Sequence, residues 1–569
     1  MLWAPRDLPE LGPDAAGDLP RYREWADRRQ AQRLAAPVVG GDQISVVLVV
    51  EQADPAWLWR CLASLAAQRA ARWRLLVAVV GTPDPTARAA LDEAIADLGE
   101  GRAEVRGFAD STPPAEAVAA LLAADGSAAV ALLGPDDQLA PDALALLGAA
   151  LAGADLAYAD EDRVDAGGLV SDPVLKPDWS PELCLSWGYV GRPLLVRRDA
   201  LDAAGGVRPV AGGDWEHDLV LRVAERAGRV AHVAEVLCHR RLGAAAGAGG
   251  PGAVAAALER HGARAAVDPG PLPGTWRVRR RPAGRPSVSA VVPFRDAPRL
   301  LRACVDSVTD TAGDADLELV LVDNGSVEPE TRTLLDRLAR RPGVVVLHDP
   351  RPFNWAALNN AAVGAATGEV LLFLNNDIEA RRTGWLEPLC AQALRPEVGV
   401  VGARLLYPSG RVQHAGMVLG LAGAAGHVLA GLAGDRPGYL GMAVLARDCS
   451  AVTGACMAVR REVFGALGGF DESLGLDLND VDLCLRAAKE GLRVVYEPAA
   501  ELVHHESPSR GTSGSTDDQL RFLERWGDEV VAGDPFLNAN LTRVDCTAAL
   551  RRGDEEEGWI QWRSTLTSS

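Results

Sequence analysis

The sequence predicts an α/β protein in which a doubly wound, mostly parallel mixed sheet occurs twice in tandem. Three observations lead there. Short apolar runs of strand length alternate with amphipathic stretches of helical period. Several of those runs stop abruptly in Asp, Asn or Gly. The pattern of the first half also recurs in the second: "LWRCLASL" is answered by "LLRACVDSV", and "HDLVLRVAERAGRVAHVAEVLCHRR" (217–241) by "VDLCLRAAKEGLRVVYEPAAELVHHES" (481–507). This is a duplication of domain size, with a period of roughly 240 residues, rather than a solenoid repeat.

In chain order, residues 1–41 are rich in Pro, Arg, Asp and Ala and predict an arm with at most one helix ("RYREWADRRQAQRL"). The first copy spans 42–245: "ISVVLVV" is a buried strand, "PAWLWRCLASLAAQ" a helix and "WRLLVAVVG" a second strand. Residues 246–285 have Gly/Pro-rich ends around a helical middle, "AVAAALERHGARAA", and predict a linker. The second copy spans 286–510, with "VSAVVPF" as a strand, "PRLLRACVDSV" as a helix and "LELVLVDNGS" as a strand ending in a polar turn. Residues 511–569 predict a helix followed by a loose tail.

A chain of 569 residues exceeds one ordinary core. With 48% hydrophobic and 24% charged residues it is globular. A net charge of -19 argues against a general nucleic-acid binder. No apolar run reaches the length of a bilayer, and "MLWAPRDLPELGPD" has no apolar h-region, so neither a membrane span nor a signal peptide is expected. The nine cysteines form no CxxC pair and read as reduced thiols in the cytoplasm.

The second copy concentrates the chemistry. In doubly wound sheets ligands gather at the carboxyl ends of strands, and two such ends carry acids: Asp323 in "LVLVDNGS" and Asp377 in "VLLFLNNDIEA". A strand-end carboxylate can hold a base, a ribose or a hard divalent cation; it can equally be turn chemistry. In "GLDLNDVDLCLRAAKEG", Asp480 stands at a helix start, where a carboxylate also serves as a cap. Asp482 and Arg486 there form an i,i+4 surface pair. "ELVHHES" ends a strand in His504 and His505, a pair that serves as ligands or as polar hydrogen bonders.

Taken in order, "VDNGS", "DPRPFNWAALNNAAVGAATGEVLLFLNND", "GVVGARLLYPSGRVQHAGMVLG", "AVTGACMAVRREVFGALGGFDE", "NDVDLCLR" and "HHESPSRG" resemble a family-2 glycosyltransferase of the GT-A fold, in the rhamnosyltransferase-like branch that builds bacterial surface polysaccharide. The resemblance implies two tandem GT-A domains and an inverting sugar transfer from a nucleotide-sugar donor (dTDP-, UDP- or GDP-linked). The acceptor would be a glycan or lipid-linked glycan, handled in the cytoplasm or peripherally at the inner membrane face. It implies that Asp323 binds the base, and that Asn375, Asn376 and Asp377 stand in the family's DxD position. Asp377 and His504, with His505 as the fallback, would hold Mg²⁺ or Mn²⁺, and Asp480 would be the general base. Asn375 and Asn479 depart from the acids usual in the family. His414 and His427 fall in a region that lines the acceptor side in the family; buried hydrogen-bonding histidine is the competing reading.

The first copy resembles the same family through "LLGPDDQLAPDAL", "AYADEDRVD" and "HDLVLRVAERAG", with a damaged site. Val80 stands where the nucleotide-binding acid belongs, and Gly134 replaces the first acid of the motif, leaving Asp136 and Asp137. Glu216 aligns with the base and His239 with the metal histidine. The expectation is a non-catalytic copy. The rivals are a bifunctional transferase, a dead glycan-binding scaffold and, more remotely, a sugar nucleotidyltransferase, whose Gly-rich basic signature "VVPFRDAPRLL" lacks.

Overall fold

The computed structural model describes residues 19–37, 41–70, 72–99, 101–243, 250–506 and 515–552. The expected tail from 553 onward, the first 18 residues of the arm and the second half of "HHESPSRG" lie outside these.

Two large sheets share one strand order. The first runs Ala103–Phe108, Trp73–Val80, Ile44–Val50, Ala129–Leu133, Leu194–Arg197, Leu156–Val164, Val230–Arg241 and Asp137–Leu139. The second runs Val344–His348, Asp316–Asp323, Ser287–Phe294, Val370–Leu374, Cys456–Arg460, Val398–Leu406, Arg493–His504 and Ile378–Glu379. The duplication read from the sequence is therefore a duplication of topology. Val370–Leu374 shows why its sequence is unbroken apolar. It pairs in parallel with Ser287–Phe294 on one side and antiparallel with Cys456–Arg460 on the other, and all five of its residues are buried.

Helices begin where the sequence supplies caps. Asp54 accepts from the backbone of Ala56 and Trp57 ahead of Pro55–Ala66, and Asn354 from Ala357 ahead of Trp355–Val363. The expected linker holds its helix, Pro251–Arg260, and also an antiparallel hairpin, Ala265–Pro269 with Trp276–Arg280, that the sequence reading did not include. The arm's helix, Leu19–Ala35, is docked: Tyr22 is fully buried, its hydroxyl donating to Asp162 at 2.6 Å, and Arg33 pairs with Asp142 and Glu235.

Asp482 corrects an expectation. It is not a surface partner of Arg486 but fully buried, accepting from Arg486 Nε (2.8 Å), Arg525 Nη1 (2.7 Å) and Trp526 Nε1 (2.9 Å). The last two come from the C-terminal helix Thr516–Ala532, which covers the helix bearing Asp480. Beyond that helix the chain returns to the first copy: Asn538 Nδ2 donates to Asp160 Oδ2 and to the Lys176 carbonyl, both at 2.8 Å.

The copies also meet around Glu182, which is 1% exposed. Its carboxylate receives Arg395 Nη1 at 2.5 Å and Arg493 Nη2 at 3.2 Å, with Arg280 of the hairpin at 3.5 Å and Gln392 Nε2 at 3.0 Å. Burial alone would raise this carboxyl, but the guanidiniums of Arg395, Arg280 and Arg493 outweigh it and hold Glu182 well below the usual range. No helix among the described residues is long and apolar enough to cross a membrane.

Candidate active site at the sheet edge of the second copy

Asp323 ends its strand opposite Phe294, and the strand of Phe294 is the neighbour of Val370–Leu374. Asp323 and the Asn375–Asn376–Asp377 turn thus flank one intervening strand at the same sheet edge, about 10 Å apart by strand spacing. Asp323 Oδ1 accepts from Ser326 N at 2.8 Å, and Oδ2 faces His348 Nδ1 at 3.1 Å. The turn role that the sequence allowed is real, and it orients the carboxylate.

Asp377 is buried at the turn, with Oδ1 3.0 Å from His504 Nε2. The strand carrying His504 lies antiparallel to Ile378–Glu379, with His504 opposite Ile378. His505 faces elsewhere: its Nε2 meets Glu379 Oε2 at 2.8 Å. His504 Nδ1 engages Gln413 Oε1 at 2.6 Å, which holds the ring with Nε2 on the side of Asp377 and Asn375. Asn375 sits beside this pair. Its Oδ1 accepts from Trp355 Nε1 at 3.3 Å and its Nδ2 approaches His504 Nε2 at 3.4 Å. Asn375 therefore positions the histidine, and the family's first acid is replaced by an orienting amide.

These residues fit a divalent cation. A carboxylate oxygen and an imidazole nitrogen face one another 3.0 Å apart. Adjacent corners of an octahedron with bonds of about 2.1 Å are about 3.0 Å apart. The histidine's other nitrogen is fixed by a side-chain oxygen, as metal-binding histidines commonly are. Among the described residues no group of three or more His, Cys, Asp or Glu could hold a metal ion. A cation held there would take Asp377 and His504 from the protein and its remaining ligands from phosphate oxygens and water.

Asp480, half-buried, lies in the first turn of Asn479–Lys489. Its Oδ1 accepts from Val481 N and its Oδ2 from Gly454 N, both at 2.8 Å. The next residue, Ala455, gives its carbonyl to Asn375 N at 3.1 Å. One short segment therefore links the Asp480 carboxylate to the turn that carries Asp377. Gly454 is required there, since a Cβ would fall 2.6 Å from the Trp355 ring. Asn479 is structural: it is buried and donates to the Leu474 carbonyl at 3.0 Å.

Trp355, Gln413 and Gly454 were not read as site residues, although "PFNW" and "RVQH" lay inside the quoted motifs. His414 and His427 meet through Nδ1 at 2.9 Å, and burial lowers both, His414 well below the ordinary range and His427 to about 4. They form a neutral hydrogen-bonded pair.

The first copy departs further. Asp137, nearly buried, binds Arg192 Nη1 at 2.6 Å and lies 3.4 Å from Arg240 Nε. Arg192 Nε continues to Glu216 Oε2 at 3.0 Å. Asp136 has Arg241 at 3.7 Å. The assignment of His239 is corrected by one residue. Arg240 pairs with Asp137 where His504 pairs with Ile378, while His239 turns to the other face and binds Asp162 at 2.6 Å.

Residues 289–468 match the model of glycosyl transferase family 2. Asp323 and the 375–377 turn fall inside that match, and Asp480 and His504 beyond it. The chain is 40% identical over 569 residues to the O-antigen biosynthesis protein RfbC of Myxococcus xanthus, covering 96% of this chain and 44% of that protein. It is 37% identical over 565 residues to the uncharacterized protein y4gI of Sinorhizobium fredii, covering 94% and 61%. The chain thus spans about half the length of these relatives. Among solved structures, that of GalNAc-T7 with UDP, GalNAc and Mn²⁺ aligns at a TM-score of 0.36 and 18% identity, over 43% of this chain and 50% of that one. Residues 289–468, within the second copy, carry the glycosyl transferase family 2 match.

Proposed function

We propose that the second copy, residues 286–510, is an inverting glycosyltransferase that moves a sugar from a nucleoside diphosphate to a cell-surface polysaccharide acceptor. The observation that carries this reading is the link from Asp480 through Gly454 and Ala455 to Asn375, which puts a carboxylate and a cation-ready pair on one sheet edge. Asp323 holds the base at the far strand end, and Asp377 and His504 hold Mg²⁺ or Mn²⁺. When bound, the metal supplies charge neutralisation for the departing diphosphate. Asp480 takes the proton of the acceptor hydroxyl as that oxygen bonds to the anomeric carbon. Its carboxylate is already oriented by two backbone N–H groups, so little reorganisation is needed. One base and one stabilised leaving group suit a single in-line displacement with inversion. A glycoside hydrolase would want a second acid flanking the bond.

The first copy, 42–245, is non-catalytic in this reading, because Arg192 clamps Glu216 and Asp137, and a clamped carboxylate cannot serve as base. Donors of the dTDP-, UDP- or GDP-sugar class and a lipid-linked acceptor at the inner membrane face agree with the motifs of the second copy and with the O-antigen role named for the Myxococcus relative.

The test is turnover across a donor panel, with and without EDTA. At least one donor should be consumed, and EDTA should lower turnover at least tenfold, with recovery on adding Mn²⁺. Full turnover in EDTA would refute the role given to Asp377 and His504.

A further inference from the structure

The first copy is not merely eroded. Its strand ends carry a coordinated exchange. Leu132 pairs with Leu194 as Phe373 pairs with Met457, so Gly134 corresponds to Asn375 and Arg192 to Ala455. The second copy has a large residue followed across the strand by a small one; the first has the reverse. A Cβ on Gly134 would lie 1.8 Å from Arg192 Nη1. The guanidinium therefore reaches into the space beside position 134, where the second copy carries the Asn375 side chain, and a side chain at 134 would require Arg192 to move.

This exchange lies in a cleft of about 580 Å³, within the usual range for small-molecule sites. Glu51, Gln52, Asp110, Arg192, Trp215 and Glu216 are among its lining residues. Arg192 is matched by Asp137 at 2.6 Å and Glu216 at 3.0 Å, so it has no net charge to offer a diphosphate. Glu51 and Asp110 add further carboxylates, which repel phosphate. Sugar hydroxyls make the opposite demand. They donate to carboxylates, accept from a guanidinium and an amide, and lay their C–H face on an aromatic ring. Half-buried Trp215, next to Glu216 at the start of Trp215–Ala224, supplies such a ring.

We propose that the first-copy cleft is a metal-independent binding site for an uncharged glycan, built by the Gly134–Arg192 exchange and selective against nucleoside diphosphates. This deepens the reading that the second copy acts on a polysaccharide, and it rests on that reading for the biological source of the glycan. Retention itself requires no turnover, so the two can fail separately.

The experiment uses the full chain on an array of neutral bacterial oligosaccharides in EDTA, alongside calorimetric titration with UDP, GDP and dTDP in Mn²⁺. At least one neutral oligosaccharide should be retained in EDTA. Trp215→Ala and Glu216→Gln should each weaken it at least tenfold. Glu216→Gln keeps the size of the side chain and guards against a folding artefact from the tryptophan variant. The nucleoside diphosphate that binds should titrate at one site per chain, with Glu216→Gln without effect. A second diphosphate site lost in Glu216→Gln would overturn the proposal. So would retention that neither variant weakens, or no retention of any neutral glycan. Absence of transfer by the wild-type chain with every donor, with glycan retention intact, would sink only the catalytic reading.

Discussion

Asp480→Asn lowers kcat by about 10²–10⁴-fold, the range for loss of a positioned general base, while the KM for donor stays within a few-fold. The amide is the same size. Its oxygen can still accept from Gly454 N, so the link to Ala455 and Asn375 survives. The capacity to take a proton is lost, together with the bond from Val481 N, which then faces the amide nitrogen. The competing reading makes Asp480 a helix cap. Losing a cap costs about 1 kcal/mol of stability and spares the chemical step. The measurement is therefore paired, with steady-state kinetics beside the thermal midpoint. A large fall in kcat at an unchanged midpoint supports the base. A lowered midpoint with kcat within tenfold of wild type supports the cap and removes Asp480 from the chemistry.

Glu182→Ala destabilises the protein by about 3–5 kcal/mol, the cost of breaking a buried ion cluster by removing one member. Arg395, Arg493 and Arg280 converge on this carboxylate from the second copy and the hairpin. Without it, guanidiniums that are only 10–18% exposed lose their common partner. Asp448 keeps Arg493 at 2.6 Å, so the cluster is depleted rather than emptied. Denaturant unfolding followed at both copies checks this, with a lower midpoint and earlier separation of the copies expected. The pH dependence has a fixed sign. Because the folded carboxyl is held well below the usual range, its stabilisation is present above the unfolded pKa and is lost as pH falls through the folded one. The variant and the wild type should therefore converge in acid. An unchanged midpoint at neutral pH would contradict the account.

Much of this was legible in the sequence because it depends on local pattern. The apolar run before Asn375 marks a central strand, and its abrupt polar end marks a sheet edge. The repeated helix after each copy's strand region marks the duplication. What was missed depends on what packs over an element. The spacing of Asp482 and Arg486 shows that they can meet, but not that Trp526 and Arg525 cover them. His239 was misplaced because a histidine was matched to a histidine; carried ungapped from His217 against Val481, the repeat sets Arg240 against His504 and His239 against Val503. A one-residue slip sends a side chain to the opposite face. The Gly134–Arg192 exchange needs cross-strand register, which spacing along one chain does not give. The hairpin was readable: "WRVRR" alternates as a strand does, and its burial alternates too.

The central claim is that a cation at Asp377 and His504 and the carboxylate of Asp480 serve one cleft. The most direct measurement is anomalous scattering from crystals soaked with Mn²⁺ and the nucleoside diphosphate that binds. The account predicts a manganese peak touching Asp377 Oδ1 and His504 Nε2, with the diphosphate on its open side and Asp480 across the same hollow. A peak found only elsewhere, or a diphosphate seated away from Asp377, would contradict it.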